Sequence, residues 1–249
     1  MNAEKRNPEL APSGGQPKAR IWEIDALRGF LILCVILAHT LYYTSDILKL
    51  FKLPELVWFV IDYGGMLFVV LSGLSATLGS RSFRRGLLVF AGGMLLTLGS
   101  YAAVRLGFMK QSMIIRFGVL HLLGVVMMLY PLLKKLPNAV LLALGGGIVA
   151  VGLWIMIKPV HVSFNYLFPL GLHNTRFSSG DYFPLLPNLG WFCLGIVLGR
   201  RLYPEKRTLL PKLNAASPVL RFFCWCGRNS LYIFLLHLPL VGGLMLLLF

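Results

Sequence analysis

The stretch Glu23-Ile-Asp-Ala-Leu-Arg-Gly-Phe-Leu-Ile-Leu-Cys-Val-Ile-Leu-Ala-His39 joins an apolar run to three ionisable groups spaced for one helix face. At about 100° per residue, the eleven positions from Arg28 to His39 close to within roughly 20° of three turns, and the rise separates them by about 16 Å. Asp25, three residues before Arg28, falls on the same side and is placed to pair with it or orient it. A run of this length crosses ~30 Å of hydrocarbon. It therefore reads as a membrane helix that carries a carboxylate and a guanidinium near one boundary and an imidazole towards the other.

The rest of the 249-residue chain has the same character: 57% of it is hydrophobic and only 13% is charged, which excludes an ordinary water-soluble enzyme. Apolar runs at 25–44, 57–79, 86–106, 113–133, 138–157, 184–200 and 229–249 predict an all-α, polytopic integral membrane helix bundle of about seven transmembrane helices. The fourth run carries Arg116 and His121, and the sixth opens on Pro184 and Pro187. Residues 1–20, rich in Pro, Gly, Ala and charge, read as a disordered cytoplasmic tail ahead of one membrane domain over 21–249.

The net charge of +15 is distributed as a membrane protein distributes it. With the N-terminus inside, sixteen of the 24 Lys and Arg residues fall in inner segments, among them Arg81, Arg84, Arg85, Lys134 and the series from Arg200 to Arg228. The positive-inside rule thus predicts a cytoplasmic N-terminus. No basic and aromatic interleaving suits a nucleic acid, and the basic series from Arg200 to Arg228 reads as a partner for anionic lipid headgroups. The four cysteines form no disulfide framework; Cys224 and Cys226 have no second pair with which to bind metal.

An ionisable group within a span costs about 2.5–3.5 kcal/mol to insert, so each one is a candidate functional residue. Besides Asp25, Arg28 and His39 these are Asp62 at the outer start of the second span, Arg116 and His121 in the outer half of the fourth, Asp181 before the sixth and His237 in the last, just ahead of Pro239. Boundary snorkelling explains Asp25 and Arg28, an interfacial place like that of Tyr42 and Tyr43 explains His39, and interhelical hydrogen bonding explains His121, as readily as chemistry does, while a structural role beside a kink at Pro239 suits His237. His161 and His173 lie in the long outer loop and carry less weight.

Four segments carry a resemblance: Glu23-Ile-Asp-Ala-Leu-Arg-Gly29, Arg116-Phe-Gly-Val-Leu-His-Leu-Leu-Gly124, Asp181-Tyr-Phe-Pro-Leu-Leu-Pro-Asn-Leu-Gly190 and Gly227-Arg-Asn-Ser-Leu-Tyr-Ile-Phe-Leu-Leu-His237. In this order they resemble the catalytic domain of the heparan-alpha-glucosaminide N-acetyltransferase family and its bacterial members, within a broader group of transmembrane acyltransferases. The resemblance implies transfer of an acetyl or similar acyl group from cytoplasmic acetyl-CoA or another acyl-CoA to a sugar hydroxyl or amine, a glycan acceptor, across a bacterial inner membrane, without a metal. It departs from the eukaryotic enzyme, which looks to have an asparagine where this chain has His39 and a histidine in the next luminal loop; residues 45–55 here contain none. Other transmembrane acyltransferases do carry a histidine at the outer end of such a helix, as His39 does.

On this reading Arg28, with Asp25, engages the phosphates of coenzyme A; His39 is general base or nucleophile; Asp62 or Asp181 orients it; and Arg116, His121 and His237 are substrate or supporting residues. A transporter or flippase for a lipid-linked or acidic small molecule is the alternative, because intramembrane His, Arg and Asp serve gating equally well. A membrane subunit that scaffolds a partner is a third. The sequence leaves monomer and homodimer open.

Overall fold

The computed structural model describes residues 21–160, 162–211 and 217–248, with the side chains of residues 46, 47, 62 and 244–248 outside the description. The tail over 1–20 and His161 also lie outside it. Among the described residues eight α-helices follow one another: α1 Trp22–Tyr42, α2 Glu55–Leu78, α3 Ser82–Arg105, α4 Val119–Leu133, α5 Asn138–Ile157, α6 Leu185–Leu202, α7 Pro218–Arg228 and α8 Ser230–Leu248. No strand occurs among the described residues, only an isolated parallel bridge between Phe117 and Tyr182.

Four of these helices are long and apolar enough to cross a membrane: α1, prolonged to Ser45, and α2, α3 and α5. They turn large apolar side chains outward, with Leu67, Leu88, Leu98 and Ile157 each more than 60% exposed. In hydrocarbon such side chains need no cover. Helix α5 matches the expected run, because it is apolar throughout and bounded by Pro137 and Lys158.

With lipid outside, helices associate by close packing rather than by hiding apolar area, and small residues set the approach. Gly29 of α1 and Gly227 of α7 lie reciprocally against each other's helix: a Cβ on Gly29 would fall on the Phe223 carbonyl, and one on Gly227 on the Asp25 carbonyl. Gly73 and Gly195 join α2 to α6 in the same way, against the carbonyls of Phe192 and Val70. Gly86 and Gly124 join α3 to α4, and Gly145 and Gly190 join α5 to α6. Phe192, Ile196, Leu122 and Val126 fill the core between α2, α4, α5 and α6.

The expected fourth span is shorter than its apolar run. Residues 114–118 are extended and pair with the segment before α6, Gly180 N–H donating to the Ile114 carbonyl and Phe183 N–H to the Phe117 carbonyl. The helix starts only at Val119, whose N–H donates to the Asp181 carboxylate at 3.0 Å. Hydropathy registers that 113–118 is apolar but not that its backbone partners lie more than sixty residues away. Helix α7 falls in the basic stretch that reads as an inner connection, and its buried face is supplied by Cys224, Cys226 and Gly227.

Gly195→Val should lower the thermal midpoint of the detergent-purified protein by an amount corresponding to about 1–3 kcal/mol of overpacking. Gly146, with open space around its Cβ position, should accept the same change with no measurable loss.

Candidate active site

A cavity of about 1020 Å³, open sideways past the exposed Leu67, Leu88 and Tyr232, touches both Arg28 and His39. The helical spacing of these residues on α1 therefore places them along one space, three turns apart. Helices α2, α3, α4 and α8 supply most of the other walls, α5, α6 and α7 contribute at the edges, and the segment 180–184 covers part of it.

At one end Arg28 is oriented by both neighbours. Its guanidinium lies 3.5 Å from the Asp25 carboxylate and donates to Ser75 Oγ of α2 at 2.7 Å, while Ser75 donates onward to the Leu71 carbonyl. Arg85 lies against the open backbone of Gly79, and Arg85 and Arg228 line the same end. Arg85 is counted in the sequence only as part of a basic inner turn, and Arg228 belongs to the Gly-Arg-Asn-Ser segment; neither is singled out there as a site residue.

At the other end His39 meets His237, with Nδ1 of the first 3.1 Å from Nε2 of the second. The pair's proton positions follow from its partners. His237 Nδ1 is 2.6 Å from the Phe234 carbonyl, which only accepts, so Nδ1 carries the proton. In the neutral pair His237 Nε2 is therefore the acceptor and His39 Nδ1 the donor. His39 also has the Val35 carbonyl, one turn back, as a hydrogen-bond partner; with Nδ1 as the donor, Nε2 keeps its lone pair on a ring that lines the cavity. This is the tautomer a general base requires. Phe234 stands edge-on to both rings.

His121 is used differently. Its Nδ1 accepts from Gly118 N–H at 3.2 Å, so its Nε2 carries the proton and donates to Thr97 Oγ1 at 3.3 Å, which itself donates to the Ile115 carbonyl. Both ring nitrogens are spoken for and the residue is 2% exposed, so His121 fastens the start of α4 to α3. Arg116 is exposed in the extended segment rather than on a helix; its N–H and Nε donate to Ser179 Oγ and the Ser178 carbonyl, and its guanidinium lies over Phe177. It ties down the loop between α5 and α6 and does not line the cavity.

Asp181 does line the cavity, and it also caps α4 through Val119. Burial outweighs that hydrogen bond and pushes its carboxyl from 3.8 up to about 6. Asp62 sits on α2, one turn before Gly65, which lines the cavity against Phe183; its side chain lies outside the described residues. His173 stacks on Phe177 in the loop between α5 and α6. Among the described residues no group of three His, Cys, Asp or Glu side chains is near enough to hold a metal ion.

The molecule is thus an all-helical bundle with membrane-crossing helices, built round a cavity with an arginine cluster at one end and a histidine pair at the other. Over residues 20–239 the chain matches the family model described as heparan-alpha-glucosaminide N-acetyltransferase, catalytic, and it belongs to that family, which defines a membrane acetyltransferase type of protein. No curated protein and no solved structure matches it.

Because the folded-state pKa of Asp181 is raised, its contribution to stability is present below pH 4 and is lost as pH rises to about 6. Asp181→Asn should flatten that part of the stability profile, measured by thermal unfolding between pH 4 and 7; an unchanged slope would place the titration elsewhere.

Proposed function

We propose that the chain transfers an acetyl or similar acyl group from an acyl-CoA to a sugar hydroxyl or amine, with the donor held at the arginine end and the acceptor at the histidine end. The observation that carries this is the single cavity joining Arg28 to His39. The ~16 Å between them along α1 suits the extended pantetheine arm of coenzyme A. Its phosphates engage the guanidinium of Arg28, which Asp25 and Ser75 aim, together with Arg85 and Arg228.

The thioester then lies near His39. The acceptor O–H or N–H gives its proton to His39 Nε2 as the acceptor atom attacks the thioester carbonyl. The tetrahedral intermediate collapses by breaking the C–S bond, and the imidazolium returns the proton to the departing thiolate. While His39 is cationic, His237 Nε2 accepts its Nδ1–H and stabilises it. The role is that of the orienting residue of a catalytic triad, filled here by a neutral ring. Asp181, and Asp62 from α2, stand as further orienting groups on the acceptor side.

In the membrane we read the chain as N-terminus cytoplasmic, with about seven spans obtained by adding α4, α6 and α8 to the four long apolar helices. The arginine end then opens inward, where acyl-CoA is made, in a bacterial inner membrane. A transporter would use the same cavity without recognising coenzyme A.

Isothermal titration of acetyl-CoA into purified protein, paired with turnover on a panel of amino sugars and glycans, tests the reading. Arg28→Ala should weaken binding while His39→Ala leaves it intact and lowers turnover by about 10²–10⁴-fold. His237→Ala should lower kcat and leave acetyl-CoA affinity unchanged. Folded wild-type protein that ignores coenzyme A would send the assignment to the transporter.

A further inference from the structure

A second cavity, of about 550 Å³, adjoins the arginine end of the first and shares Gly79 and Ser82 with it. Its cations come from three separate parts of the chain: Arg81 and Arg84 from the start of α3, Lys134 from the end of α4 and Lys206 from the link between α6 and α7. All four are exposed, and among the described residues no carboxylate lines the cavity. Four cations converging on one space repel each other unless an anion is there to share.

The backbone adds to the same field. Helix α3 has no side-chain cap, and its first internal bond runs from Arg85 N–H to the Arg81 carbonyl. The N–H groups of Ser82, Phe83 and Arg84 are thus the unsatisfied donors of a 24-residue helix, at its positive end.

An apolar track leads away from this cradle. Phe83, which lines the cavity, is 53% exposed, and Leu87, Met94 and Leu98 follow it within about 60° of one helix face along α3, exposed by 53%, 42% and 65%. A charged head in the cradle with hydrocarbon along the track is the shape of a lipid.

We propose that this cavity is a phosphate-binding site, filled by the headgroup of an anionic phospholipid of the leaflet at the arginine end. Arg81, Arg84 and Lys134 grip the phosphate oxygens, the free N–H groups of α3 complete the cradle, and an acyl chain lies along Phe83 and Leu87. A nucleotide phosphate offers the cradle the same chemistry but has no use for the track. The site depends on the helices spanning the membrane and not on acyl transfer.

The test uses the full chain and the triple variant Arg81→Ala, Arg84→Ala, Lys134→Ala. Each is reconstituted in vesicles of phosphatidylcholine with phosphatidylglycerol in equal parts, released, and scored for retained phosphatidylglycerol by native mass spectrometry. Wild type should keep it selectively; the variant should hold it roughly a hundredfold more weakly. The charge-keeping variant Arg81→Lys, Arg84→Lys, Lys134→Arg should retain it. Calorimetric titration with coenzyme A is the second arm. A triple variant that keeps phosphatidylglycerol but loses coenzyme A affinity would overturn the lipid as occupant and give the cradle to the nucleotide; one unchanged in both would overturn the site. If the triple variant does not fold, Arg84→Ala alone should show a smaller loss in the same direction. Wild type that retains phosphatidylglycerol yet transfers no acyl group would sink the proposed reaction and leave this site standing.

Discussion

Gly29 and Gly227 hold the backbones of α1 and α7 so close that each helix lies on the other's carbonyls. Much of the site depends on that contact. Helix α8 begins at Ser230, two residues after the end of α7, so fixing α7 on α1 also fixes where α8 departs. Two turns further along α8, His237 comes to face His39. On the other side of the same crossing, Arg28 is the neighbour of Gly29 and Arg228 of Gly227, which brings two guanidinium groups to one mouth of the cavity. A side chain at either glycine would part the helices and separate both pairs, although neither glycine carries any chemistry.

The cavity exists because other contacts are looser. Glycine-mediated seams draw α1 to α7, α2 to α6, α3 to α4 and α5 to α6, and the space between α1, α2, α4 and α8 is left unfilled. The lead into α4 is braced by polar bonds. His121, Thr97, Gly118 and Ile115 tie α3 to the extended lead into α4, and Asp181 ties that lead to the segment before α6. A network in which every member has a partner is rigid, so the start of α4 is fixed against α3 and against the segment before α6.

The helical character was legible in the sequence, because apolar runs of membrane length admit little else, and α5 shows it most plainly. The line-up of Asp25, Arg28 and His39 was legible too, since one helix with a known period carries all three. What hydropathy missed were relations between distant segments. Residues 113–118 are as apolar as a span but find their backbone partners at 180–183. His121 has the composition of a catalytic residue and the bonding of a cap. His39 and His237 are 198 positions apart, and nothing periodic links them; only the crossing of α1 with α7 brings them together. Helix α7 was obscured by its basic residues, which read as an inner connection, while its buried small residues form a face too short to stand out.

Arg28 and His39 share one unbroken helix, α1, and this has an evolutionary consequence. A single inserted or deleted residue between them would swing one by about 100° relative to the other and take it out of the cavity. Relatives that keep this arrangement are therefore bound to keep the interval at eleven residues. Beyond Tyr42 the helix loosens into a wider turn over Tyr43–Ile47, and there the chain is free to lengthen or shorten. Change in length is thus channelled into the connection that follows, while the first helix stays fixed like a gauge block.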